Sequence, residues 1–115
     1  MTPMERDATV PQQSPADAQA RLASATPPTL LDVREPYEYE SAHLANAILC
    51  PMSALSPKVL GELLPQRDAP VLVYCRSGHR SDVAAHWMQR EGYTNVANLA
   101  GGILAWMRIG APVER

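Results

Sequence analysis

Residues 71–81 read V-L-V-Y-C-R-S-G-H-R-S, an apolar run followed by a thiol, two arginines, a glycine and two serines, with no carboxylate between residues 69 and 81. A thiol between the end of a strand and the start of a helix faces unpaired backbone N–H groups and the positive end of the helix dipole, an arrangement that holds anions. A thiolate is an anion, so Cys75 is expected to ionise more readily than an ordinary cysteine and to act as a nucleophile. Gly78 lets the backbone turn tightly, leaving the amides of Arg76, Ser77, Gly78, His79, Arg80 and Ser81 directed at an oxyanion or a persulfide. Arg76 and Arg80 offer permanently charged forks, and Arg76, directly after the nucleophile, is expected to touch substrate. Ser81 is expected to donate to the thiolate and to cap the following helix. His79 is expected to contribute its backbone amide, with its imidazole facing solvent.

Other reactive side chains have plainer readings. Cys50 closes an apolar run and is expected to be a small buried apolar residue. His43 and His86 are read as structural or surface residues, and the spacing of His and Cys does not match a metal site, so neither metal nor cofactor is expected. Asp32, Arg34 and Glu35 follow a second apolar run. Two readings stay open for Arg34, an ion pair that fixes its loop and a place near the active mouth. Trp87, Met88, Trp106 and Met107 recur at helical spacing and are read as core. Gly101-Gly102 lacks the spacing of a phosphate-binding loop and is read as a point of close chain packing.

Alternating strands and helices must position these residues. Ala8-Thr9-Val10 is read as a short edge strand before Pro11. Ser14-Pro15 with Asp17 opens a helix through about Ala25, ahead of Pro27 and Pro28. Apolar runs at 30–33, 47–50, 71–74 and 96–99 predict buried strands, with 30–33 central. Helices are predicted at 36–41, 57–64 and 81–91 and after Gly102, with Gly92 as a left-handed C-terminal cap. This order predicts a parallel sheet covered by helices on both faces.

The chain has 115 residues, a net charge of −2 and 46% hydrophobic residues, which fits one domain over residues 8–115 preceded by a flexible tail over residues 1–7. The charge balance argues against the basic surface that nucleic acid or an anionic membrane would need. No apolar run approaches a membrane span, the first residues do not read as a secretory signal, and two distant cysteines do not make a disulfide framework. A cytoplasmic, reducing location is expected.

Taken together, L-L-D-V-R-E-P-Y-E-Y-E at 30–40, A-H-L-A-N-A at 42–47, V-Y-C-R-S-G-H-R-S at 73–81, L-A-G-G-I-L-A-W at 99–106 and G-A-P-V at 110–113 resemble a single-domain rhodanese of the sulfurtransferase family. The resemblance implies a three-layer α/β/α domain with a five-stranded parallel sheet. It also implies that Cys75 takes a sulfane sulfur from a donor such as thiosulfate, becomes a persulfide, and passes the sulfur to cyanide, a small thiol or a protein acceptor. Ala42 and Asn46 stand where the family often has glycine, and Asn46 tolerates a left-handed backbone better than Ala42 does. Related phosphatases place five residues between cysteine and arginine, whereas four separate Cys75 from Arg80, so a phosphatase or arsenate-handling enzyme is the weaker alternative. A persulfide carrier or binding module serving one protein partner is the other.

Overall fold

The computed structural model describes residues 9–115; the expected tail at residues 1–7 lies outside the described residues. Strands β1 (Gln12–Gln13), β2 (Thr29–Asp32), β3 (Ile48–Leu49), β4 (Val71–Tyr74) and β5 (Val96–Leu99) form one sheet in the order β1-β5-β4-β2-β3. Every pairing is parallel. Helices α1 (Pro15–Leu22), α2 (Pro36–Ser41), α3 (Pro57–Leu63), α4 (His79–Arg90) and α5 (Gly102–Arg108) supply the connections and the two covering layers. The parallel α/β architecture expected from the alternation is thus present.

Period-two alternation divides the core. Val71, Val73 and Cys75 face one side with Leu31, Val33, Leu60, Ala84, Ala85 and Met88. Leu72 and Tyr74 face the other with Ala18, Leu99, Ile103 and Trp106. A side chain in β4 therefore has its face decided by parity, and Cys75 falls on the α3/α4 side. Each fully buried Val or Leu here contributes about 1.5–3 kcal/mol relative to exposure. Trp87 and Met107 are partly buried against these two clusters, and Met88 and Trp106 lie within them.

Local signals set most boundaries. Ser14 and Ser56 accept from the amides of Asp17 and Val59, and a proline follows each cap. Gly92, at φ 96°, ends α4 with its amide on the Gln89 carbonyl and the Tyr93 amide on that of Met88, the paired bonds of a Schellman cap.

Four expectations are corrected. The edge strand is Gln12–Gln13, not Thr9–Val10, with Ala8 of the expected strand outside the described residues; its ladder begins at the Pro11 carbonyl, which accepts from the Asn98 amide, while Val10 is buried as a core anchor just before it. The middle position belongs to β4, with β2 one strand nearer the edge. Helix α1 stops at Leu22, because the Ser24 hydroxyl and amide both turn back onto the Arg21 carbonyl. Helix α4 starts at His79, two residues early, so His79, Arg80 and Ser81 belong to its first turn.

Candidate active site

Cys75 follows β4 immediately and is 1% exposed. Three residues, Arg76 to Gly78, separate it from α4, and Gly78 occupies the N-cap position at φ 103°. That left-handed conformation suits glycine, and a Cβ there would also press to 3.1 Å from the Gly101 amide nitrogen. The turn brings the Gly78 N–H to 3.1 Å from Cys75 Sγ, where it donates to the sulfur. Burial pushes the thiol up, but hydrogen bonds from Ser81, Gly78 and Ser77 outweigh it, so Cys75 lies below the ordinary cysteine range. Cys50 has burial without such donors, and its thiol is pushed up.

The loop carbonyls are turned the other way. Cys75 O accepts from Ile103 N at 2.9 Å and Arg76 O from Leu104 N at 3.1 Å, so the first turn of α5 takes the negative ends of the peptides whose neighbours' N–H groups face the sulfur. This requires close approach at Gly102, which sits at φ 62°; a Cβ there would lie 2.6 Å from Cys75 O and closer still to Arg76 O. The double glycine is a packing device, as expected from its sequence, and the chain it packs against is the Cys75 loop.

Arg80 forks onto Glu38, Nη1 to Oε1 at 2.8 Å and Nη2 to Oε2 at 2.9 Å. Those charge-assisted bonds hold the Glu38 carboxyl down to about 2. Glu38 Oε1 also accepts from the Glu35 amide, so one carboxylate ties the start of α2 to the first turn of α4. Arg34 shows the ion-pair reading. It is buried, donates through Nε and Nη2 to Asp32 and through Nη2 to the Ala42 carbonyl, and lies over the Tyr74 ring. Arg34 also borders a cavity of about 230 Å³ with Arg76, Tyr37, Ile103, Leu104 and Met107. Arg76 is exposed at that rim.

Ser81 is fully buried and reaches three acceptors through its hydroxyl, namely Cys75 Sγ at 3.3 Å, Gly78 O at 3.3 Å and Asn98 Oδ1 at 2.5 Å. Asn98 is buried at the end of β5, and its Nδ2 donates to Gly78 O and to Gln12 Oε1. Gln12 Nε2 in turn donates to Asp82 Oδ1 at 2.8 Å. Sequence reasoning missed Asn98, Gln12 and Glu38. The available signal was an amide in the otherwise apolar run V-A-N-L, in a strand whose buried polar groups must find partners.

His79 is exposed on the first turn of α4. His43 stacks on Tyr39, donates from Nδ1 to the Tyr39 carbonyl, and exchanges two backbone bonds with Glu114, which pins the end of the chain. Asn46, between β2 and β3, takes φ 67°, and Ala42 is extended at φ −168°, so the turn around His43 forms without the family's glycines. His86 Nε2 lies 3.7 Å from Asp82 Oδ2. Among the described residues there is no helix long and apolar enough to cross a membrane and no group of three or more His, Cys, Asp or Glu suited to a metal ion.

Comparison with known proteins gives a consistent result. Residues 14–109 match the family model of the rhodanese-like domain. A sulfurtransferase of Allochromatium vinosum is 41% identical over 93 residues, spanning 81% of this chain and 84% of that protein. A tRNA uridine(34) hydroxylase of Erwinia tasmaniensis is 35% identical over 81 residues, 68% of this chain but 23% of that protein. Among solved structures, a rhodanese-related protein from Thermoplasma volcanium superposes with a TM-score of 0.78 at 33% identity, covering 90% of this chain and 97% of that one.

Proposed function

The chain belongs to the rhodanese-like domain family, whose members include sulfurtransferases, and from that premise we propose that it moves a sulfane sulfur from a donor such as thiosulfate to a thiophilic acceptor through a Cys75 persulfide. The observation that carries this reading is the Cys75 thiol held below its ordinary range by hydrogen bonds converging from Ser81, Gly78 and Ser77 at the end of β4. The Cys75 thiolate attacks the outer sulfur of thiosulfate, the S–S bond breaks, and sulfite leaves with the bonding pair. The amides of Ser77, Gly78 and Ser81 then receive the persulfide anion. Cyanide or a thiolate attacks the terminal sulfur, leaves as thiocyanate or a new persulfide, and restores the Cys75 thiolate.

Arg76, at the rim of the cavity shared with Leu104 and Met107, offers a charge for the donor's sulfonate oxygens. Arg80 has its fork satisfied by Glu38 and supports the loop. The near-complete burial of Cys75 favours a small donor over a bulky one. The relative in A. vinosum, bearing the name sulfurtransferase over most of its length, supports the same reading.

Incubation with thiosulfate followed by intact-mass measurement tests the proposal. The protein should gain one sulfur atom, lose it on addition of cyanide with release of thiocyanate, and gain none as Cys75→Ser. An unchanged mass, accompanied by hydrolysis of an aryl phosphate, would overturn sulfur transfer in favour of phosphatase chemistry.

A further inference from the structure

The Ser81 hydroxyl has one proton and three acceptors within reach. Which acceptor receives it is decided by groups outside the loop. Asp82 Oδ1 only accepts when ionised, so Gln12 must present its amino group there and its oxygen to Asn98. Gly78 O also only accepts, so Asn98 must present Nδ2 to it. Both constraints orient the Asn98 amide the same way, with Oδ1 toward Ser81. That oxygen is the nearest of the three acceptors, and among the described residues Ser81 is its hydrogen-bond donor.

We propose that Asn98, oriented by Gly78 O and by Gln12 with Asp82 behind it, is a positioning residue that holds the Ser81 proton away from Cys75 Sγ and leaves the thiolate to the backbone amides alone. Ser81 then offers Sγ a lone pair, which suits the neutral S–H group and not the anion. Turning the hydroxyl to the sulfur would strand a buried amide oxygen, so the gain at sulfur is offset at Asn98. A thiolate relieved of one donor keeps more electron density for attack on a second sulfur, because thiolate nucleophilicity falls as the anion becomes more stabilised. The catalytic consequence rests on the sulfur-transfer reading; the hydrogen-bond arrangement does not. The charged and titratable groups nearby are Arg76, His79, Arg80 paired with Glu38, and Asp82 with His86 beside it, and the substitutions below leave them in place.

The test is the pH dependence of Cys75 alkylation by iodoacetamide, in a Cys50→Ala background, for the parent, Ser81→Ala, Asn98→Ala and the double variant. Asn98→Ala should move the midpoint of the rate curve down by about one pH unit, as the freed hydroxyl turns to the thiolate. Ser81→Ala alone should leave the midpoint in place or lower it slightly. In the Asn98→Ala background the same serine substitution should raise it by about one unit. A rise of that size on Ser81→Ala alone, with no response to Asn98→Ala, would overturn the proposal. Should Asn98→Ala not fold, Ser81→Ala decides by itself, since an unmoved midpoint supports the arrangement and a one-unit rise refutes it. Alkylation reads the thiol whether or not the protein accepts sulfur from thiosulfate, so the two proposals fail separately.

Discussion

Cys50 and Cys75 occupy equivalent places in the sheet and have opposite chemistry. Each follows the carboxyl end of a parallel strand, each is at most 3% exposed, and both belong to the core cluster on the α3/α4 side. Burial raises the thiol in both cases, and in Cys50 nothing opposes it. After Cys75 the chain turns through Gly78 into α4, so hydrogen bonds from Ser81, Gly78 and Ser77 converge on Sγ and reverse the sign. After Cys50 comes Pro51, which has no N–H to give, and a single 3-10 turn over Met52–Ala54. The difference lies in the next few residues and not in depth. The register Leu31↔Ile48 and Leu31↔Val73 sets the two cysteines on either side of Val33. Two strand spacings put their Cα atoms roughly 9.6 Å apart, beyond the range of a disulfide.

The largest effect expected from this contrast is chemical selectivity. A small alkylating probe at neutral pH should modify Cys75 about 100-fold faster than Cys50 in the folded protein, and peptide mapping would measure the ratio. Equal rates would mean that the loop amides do not activate the sulfur. The next effect is structural. Gly102→Ala forces a Cβ against Cys75 O and Arg76 O and should destabilise the protein by about 3 kcal/mol, a fall of about 10 °C in Tm. Gly61→Ala in α3 has open space around it and should not destabilise the protein. Thermal melts of the two variants would show whether α5 braces the Cys75 loop.

The smallest effect concerns the Glu38–Arg80 pair. Hydrogen bonds from Arg80 hold the Glu38 carboxyl at about 2 against a reference of 4.5, so the pair stabilises the fold above pH 4.5 and loses that contribution as the pH falls toward 2. Glu38→Gln should cost about 1 kcal/mol at pH 7, given that the Arg80 side chain is 37% exposed and its pair partly screened. The parent and the variant should converge in stability near pH 2. Melting curves across that range would read the convergence, and parallel curves would mean that Glu38 contributes nothing through its charge.

Much of this was legible in the residues. The four-residue strand Val71–Tyr74 and the helix Pro36–Ser41 fall where apolar runs, caps and prolines predict them, because those signals act within one turn or one strand. The first strand is not legible in the residues, because Gln12 and Gln13 carry no apolar pattern. They pair with β5 through backbone groups, from the Pro11 carbonyl onward. Apolar periodicity puts the start of α4 two residues late because His79 and Arg80 are polar, whereas helix entry here is set by the positive φ of Gly78.

By itself the sequence determined the place of Cys75 between a strand and a helix, the amide-rich turn beside it, the parity that sends Cys75 to one face of β4, and the alternating order of the sheet. These are short-range consequences of residue type and spacing. Only the tertiary structure decided that Arg80 is occupied by Glu38, 42 residues away, that Gly102 receives the carbonyls of Cys75 and Arg76, and that Asn98 and Gln12 stand behind Ser81. Those partners are distant in the chain, and what brings them together is the packing of β5, β1 and α5 around the end of β4. Directional bonds between distant side chains have no periodicity for a sequence to display.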